Sequence, residues 1–273
     1  MRRGGFALRG RVALVTGAAS GIGAALVRQL ADQGCAVALV DRDPEGLAAT
    51  AARLAATGVA VSTHALDLAD ADAILALPEA ILARHGGLDL LVNNAGVALG
   101  GRFAEVDLGD VEWLMDVNLR AVMRMTHAFL PMLERAQDAQ IVNLSSIYGI
   151  VAPAGQAAYA ASKFAVRGFT EALRHEYEGT GLGVTLVHPG GVATAIARNA
   201  RSPRHLDSAA IAGGVAAFER LLRLPPEDAA DQIVRGIETR APRVIVGADA
   251  RRAVLIQRLL PVRYWSLIKR AVG

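Results

Sequence analysis

The chain has 273 residues, 53% of them hydrophobic but only 4% aromatic, and a formal net charge of +3. Such a composition suits helices packed closely on a sheet, and outside the first nine residues it excludes disordered or low-complexity sequence. A single cysteine, Cys35, excludes an internal disulfide framework and a cysteine-based metal cluster, and a charge excess spread this thinly leaves no footprint for nucleic acid.

Short β-rich runs alternate with helical periodicity. Residues 12–16, VALVT, read as a buried strand and 21–33 as a helix. A second strand is predicted at 36–40, a helix with Pro44 in its first turn at 44–57, a third strand at 59–66 and a helix at 70–85. A strand at 88–92 precedes a long helical region, 108–135; then come a strand at 140–144, a helix at 156–179 and a strand at 184–187. Beyond 190 the pattern loosens into a polar, Arg-rich stretch, 194–207. Helices at 208–224 and 225–240, a seventh strand at 243–246 and a helical tail at 250–270, broken at Pro261, complete the chain.

Continuous apolar strands separated by helices predict an α/β fold. It is a Rossmann-type doubly wound, mainly seven-stranded parallel sheet with helices on both faces and ligand sites at the strand C-terminal ends. No internal boundary or repeat is visible, so one domain is expected, with a core at 10–248. The basic N-terminus lacks the apolar stretch of a signal peptide, and no window of about 18 apolar residues predicts a spanning helix. The expected location is the cytoplasm. Cys35 and the strand that follows it read as core. The six histidines show no ligand spacing, so no metal is expected.

VTGAASGIG places Gly17, Gly21 and Gly23 at a strand-to-helix turn. Glycines there permit tight geometry and close approach of a phosphate, and the helix N-terminus offers free N–H groups. Glycines serving only a tight turn are the alternative. Asp41, 18 residues past Gly23, ends the second strand, where an acid accepts hydrogen bonds from ribose hydroxyls and repels a 2′-phosphate. That favours NAD. Arg42 beside it can pair with a 2′-phosphate, so NADP stays open. Asp67 either meets the adenine edge or caps the next helix. Asn93, Asn94, Ala95 and Gly96 follow the fourth strand, where amides tie strand ends together and line a cofactor.

In YAASK, Tyr159 and Lys163 share one helix face with only small residues between them. A nearby ammonium favours phenolate and tunes a tyrosine for proton transfer. Ser146, 13 residues earlier at a strand end, can hold the same substrate oxygen. Asn118 sits inside a helix, where Asn is not preferred.

Taken together, Thr16–Gly23, Asp67, NNAG at 93–96, Asn118, Ser146, Tyr159, Lys163 and PGGVAT at 189–194 resemble a short-chain dehydrogenase/reductase over roughly residues 10–250. The resemblance implies a catalytic tetrad of Asn118, Ser146, Tyr159 and Lys163. In it, Tyr159 is the general acid/base, Lys163 lowers its pKa and binds nicotinamide ribose, Ser146 orients substrate and Asn118 holds a relay water. The cofactor residues it implies are Gly17, Ser20, Gly21, Ile22, Gly23, Asp41, Arg42, Asp67, Leu68, Asn94, Ala95, Gly96, Tyr159, Lys163, Pro189, Gly190, Val192 and Thr194. Gly191 and Ala193 depart slightly from the family's segment. His188 reads as structural. The implied activity is NAD(P)-dependent hydride transfer between an alcohol and a ketone. An NADPH-dependent 3-oxoacyl-type reductase is the alternative, and a non-catalytic dinucleotide-binding protein the reading from another class. A homodimer or homotetramer through the long helices is implied as well.

The resemblance makes 195–224 a substrate lid. Its Ile196, Ile211, Val215, Phe218 and Leu221 suit an apolar or lipid-like substrate, while Arg198, Arg201 and Arg204 either bind an anionic head group or face water. The extension 249–273 is basic and amphipathic. It can lie on a membrane surface, pack on a neighbouring subunit or cover its own site.

Overall fold

The computed structural model describes residues 4–203 and 205–272. Arg204 therefore lies outside the described residues. The strands are β1 (Val12–Thr16), β2 (Ala36–Asp41), β3 (Val61–Ala65), β4 (Leu90–Asn93), β5 (Ala139–Leu144), β6 (Leu182–Pro189) and β7 (Arg243–Val246). They form one parallel sheet in the order β3-β2-β1-β4-β5-β6-β7. The helices are α1 (Gly21–Asp32), α2 (Pro44–Leu54), α3 (Ala71–His85), α4 (Leu108–Met115), α5 (Ala121–Arg135), α6 (Ala157–Glu176), α7 (Ser208–Glu219), α8 (Pro226–Glu238), α9 (Ala248–Leu259) and α10 (Tyr264–Val272).

Side chains alternate across the strands, so each strand feeds two cores. Ala13, Val15, Val37, Leu39, Leu90 and Val92 pack on α1 and α8 through Leu26, Leu30, Ile233 and Ile237. Leu14, Ala38, Val40, Leu91 and Ile141 pack the other way, on Ile74 and Ile81 of α3 and Met125 and Phe129 of α5. Both faces are covered, which is why the strands read as unbroken apolar runs. Each fully buried Leu or Ile here contributes about 2 kcal/mol relative to an exposed one. A third cluster, with Ala98, Leu99, Leu114 and Tyr159, lies outside both. Strand order reverses between β1 and β4, and that reversal opens a crevice at their C-terminal ends.

Several boundaries differ from expectation. The third strand starts at Val61 because Ala55–Thr57 winds as a 3-10 turn stopped by the left-handed Gly58. β6 runs longer than predicted because β5 and β7 both pair with it. The 208–224 helix ends at Glu219, and residues 223–224 hydrogen-bond to Gly191 instead. Helix 108–135 contains a π-helical turn, Asp116–Arg120. From Phe6 onward the chain is not loose: Phe6 is 1% exposed, with the Arg11 and Arg240 guanidiniums 5.3 and 5.0 Å from its ring centre. Cys35 is fully buried, and burial pushes its thiol up to about 12.

Candidate active site

At the crevice, Thr16 ends β1 and its hydroxyl accepts the Asn94 and Ala95 N–H groups, both at 3.0 Å. Asn94 Nδ2 donates to the Thr16 carbonyl at 2.8 Å. The NNAG amides thus lash the ends of β1 and β4 together. Gly17 and Gly21 have φ of 69° and 54°, a region costly for other residues. A Cβ on Gly23 would stand 2.0 Å from the Gly17 carbonyl oxygen, so the turn closes only without one. The Ser20 side chain makes no capping hydrogen bond to α1, which leaves the helix N-terminus facing the cleft. This cradle of N–H groups fits a dinucleotide phosphate.

Asp41 closes the far side. One of its oxygens accepts from Ala19 N–H at 3.1 Å and the other from Asp43 N–H at 3.2 Å, so the carboxylate is fixed at the cleft wall beside Arg42. Asp67 does not cap α3; Asp70 does, accepting from Asp72 and Ala73 N–H at 3.0 and 3.1 Å. Asp67 lines the cleft with Leu68 instead.

Tyr159 and Lys163 reach the same cleft from α6, and Ser146 from the turn after β5. The Ser146 hydroxyl is hydrogen-bonded with Tyr159, and Lys163 Nζ donates to the Leu144 carbonyl at 3.2 Å. Gly149 lets that turn lie flat on α6, since a Cβ there would stand 2.8 Å from the Lys163 carbonyl oxygen. Burial pushes Tyr159 up to about 12, opposed by the Ser146 hydrogen bond. Burial also pulls Lys163 down to about 8. Its ammonium is 5.8 Å from the Tyr159 ring centre.

Of the residues expected in the catalytic tetrad and the cofactor set, all but Gly23 and Asn118 line the cleft; Asn93 and the lid residues Ile211 and Val215 do not line it either. Asn118 is fully buried in the π-helical turn. Its Oδ1 accepts from Val97 N–H at 2.8 Å, and its Nδ2 donates to the Val97 carbonyl and to Ser162 at 3.0 and 3.2 Å. The amide clamps the chain after NNAG onto α6. Gly191 has a reason to be glycine: a Cβ would sit 2.0 Å from the Leu221 carbonyl oxygen. Its N–H donates to Asp249 at 2.7 Å. Thr194 packs against Gly21. His188 is fully buried. Its Nδ1 donates to the Ser146 carbonyl at 2.8 Å, and burial holds its pKa down to about 4, so it supports the serine turn as a neutral ring.

Arg198 and Arg201, the two lid arginines among the described residues, are held by partners within the protein. Arg198 pairs with Glu219 at 2.6 Å; Arg201 pairs with Asp110 at 2.6 Å and lies 3.6 Å over the Trp113 ring. Sequence reading missed Tyr148, edge-on to Tyr159 with ring centres 6.0 Å apart. Of the alternatives read for the tail, covering its own site is the one seen here: Asp249, Arg252, Ala253, Ile256, Leu267 and Ile268 wall the cleft. The apolar spacing of the tail was the available signal. The whole cleft has a volume of about 750 Å³, within the range of small-molecule and cofactor sites.

Residues 11–205 match the family model described as short chain dehydrogenase. This chain is a short-chain dehydrogenase. It is 41% identical to the protein called SadH of Mycobacterium tuberculosis (strain ATCC 25618 / H37Rv) over 267 residues, covering 97% of this chain and 96% of that one. A solved short-chain dehydrogenase/reductase of Burkholderia phymatum, in complex with NAD, superposes with a TM-score of 0.87 at 30% identity and covers 93% of this chain and 95% of its own. A metagenomic short-chain oxidoreductase in complex with NADP superposes with a TM-score of 0.70 at 35% identity, covering 88% and 98%. Membership makes this dehydrogenase an oxidoreductase, with the cleft as its candidate active site.

Proposed function

We propose that this dehydrogenase transfers hydride between a nicotinamide cofactor, NAD by preference, and an apolar or lipid-like alcohol or ketone. The observation that carries this is convergence: Ser146, Tyr159 and Lys163 meet in the same cleft that the glycine turn and Asp41 line. The turn and the α1 N-terminus hold the dinucleotide phosphates, Asp41 its adenosine ribose and Lys163 its nicotinamide ribose, with 189–194 at the nicotinamide end. The bound cofactor supplies the hydride acceptor or donor. The protein supplies position and a proton path. Ser146 holds the substrate oxygen, and Tyr159 takes its proton in oxidation or returns it in reduction. Asn118 positions rather than reacts, since its side chain is engaged with Val97 and Ser162. Val151, Ile196, Phe218 and Leu221 wall the substrate end, which favours an apolar molecule.

Arg42, which lines the cleft beside Asp41, favours a second reading, an NADPH-dependent 3-oxoacyl-type reductase. The chain works as one domain in the cytoplasm, as a homodimer or homotetramer through α5 and α6, where Met123 and Phe164 are exposed. Its tail, 250–273, makes a peripheral membrane contact. The test is a panel of secondary alcohols of graded length, offered with NAD⁺ to wild type and to Tyr159→Phe. Turnover rises with chain length and falls about 10³-fold in the variant, while NADH affinity holds. Turnover retained by Tyr159→Phe contradicts the reading.

A further inference from the structure

The tail has two working faces. At 3.6 residues per turn, Asp249, Arg252, Ala253 and Ile256 of α9 fall on one arc, and these are the side chains that wall the cleft, joined by Leu267 and Ile268 of α10. Leu255 and Leu259 fall on the adjoining arc, alongside Arg251 and Arg258, and Arg252 stands at the border between the two. That second arc is bare: Leu255 is 58% exposed and Leu259 69%, and beyond the helix Val262 is 88% exposed. Leu260, at the end of the helix, is exposed as well. Folded proteins seldom leave such an apolar ridge without a use.

The charge around it is one-sided. Arg251, Arg252, Arg258, Arg263 and Lys269 are exposed, and none has a carboxylate partner among the described residues. The one acid, Asp249, is engaged by the Gly191 N–H. A second copy of the chain does not complement this face, because a two-fold contact sets the same cations against each other. An anionic bilayer does: acyl chains take the leucines and headgroups take the cations. No described helix is long and apolar enough to cross a membrane, so the contact is with its surface. Tyr264 Oη accepts from Ala152 N–H at 3.0 Å, which ties the tail to the turn that carries Tyr148 and Val151.

We propose that residues 251–269 seat the protein on an anionic lipid surface with the mouth of its cleft against the bilayer. Its substrate is then a membrane-dissolved, lipid-like alcohol or ketone that enters between Arg252 and Leu267 without crossing water. The choice of substrate rests on the reading of Ser146, Tyr159 and Lys163 as a dehydrogenase site; the seating does not.

The experiment is flotation of the full-length protein with phosphatidylcholine vesicles, with and without phosphatidylglycerol. The protein floats with the anionic vesicles alone, and high salt releases it. Leu255→Glu/Leu259→Glu, which touches neither cleft nor core, loses at least about tenfold in vesicle affinity. Leu75→Glu, an equally exposed leucine on α3, loses none. Wild type that stays with the soluble fraction overturns the seating, as does equal flotation of the double variant. A double variant that instead lowers the sedimenting mass of a vesicle-free oligomer assigns the ridge to a subunit contact and also overturns it. Turnover of a long-chain alcohol carried in anionic vesicles falls in the double variant, while turnover of a short soluble alcohol stays level. If wild type turns over neither alcohol, the dehydrogenase reading fails, and flotation still decides the seating.

Discussion

The glycine turn and the lid-and-tail region face each other across one cleft and are built in opposite ways. At the turn, backbone meets backbone so closely that a methyl group on Gly23 would stand 2.0 Å from a carbonyl oxygen, and Asn94 and Thr16 lock the strand ends. In the lid, α7 buries no residue, and a methyl group added to Gly213 or Gly214 would meet nothing within 4 Å. That region is tethered at its two ends by backbone bridges, Leu99 to Arg201 and Val192 to Leu224, and by the side-chain contacts Arg198–Glu219, Arg201–Asp110, Asp249 on Gly191 and Tyr264 on Ala152. A pocket for a ligand of fixed chemistry is well served by close backbone contacts. A pocket for a large apolar ligand that must enter is better served by walls that part at low cost.

The sharpest way to break that contrast is to add one methyl group on each side. Gly23→Ala forces the turn apart, so dinucleotide affinity falls by about 100-fold and stability by about 3 kcal/mol. Gly213→Ala leaves dinucleotide affinity unchanged and raises stability by as much as ~1 kcal/mol. Calorimetric titration and denaturant melts of both variants read this directly.

His188, which carries Ser146 between the two regions, gives the next effect. Its folded pKa is about 4 against 6.5 for the free ring. The unfolded chain therefore takes up the proton first as pH falls. The stability this ring supports is complete above 6.5 and drains as pH drops towards 4. Linkage puts the loss between pH 7 and pH 5 at about 2 kcal/mol. His188→Asn keeps a donor for the Ser146 carbonyl and removes the titration, so its melts lose that much less over the same interval.

A lid tether gives the smallest change. Arg201→Ala removes one ion pair and one stacking contact, worth about 1 kcal/mol together. KM for substrate rises about fivefold, with kcat and NADH affinity level. An equal loss in NADH affinity would show that the lid and the turn do not act separately.

Legibility in the sequence follows the same division. The strands read plainly because residues such as Leu14 and Leu91 are buried on both faces of a parallel sheet and need no polar alternation. The glycine turn and the Tyr159–Lys163 pair read plainly because each is local, its parts a few residues apart. The rest depends on distant partners. Nothing near Asn118 says that its amide clamps Val97, and nothing near Gly191 says that the Leu221 carbonyl lies over it. Asp249 is 58 residues from the Gly191 N–H it accepts. The Tyr159–Lys163 pair was legible as a motif, but the burial that shifts both groups was not, because desolvation is set by the whole packed site.

The most direct test is calorimetric titration of the purified, full-length protein with NADH and NADPH in parallel, repeated on Asp41→Ala. The account predicts tight, single-site NADH binding and weaker NADPH binding in wild type, with the preference lost in the variant. Tighter NADPH binding would give the ribose pocket to Arg42 and put the reductase reading first. Binding of neither by the folded protein would contradict the account at its centre.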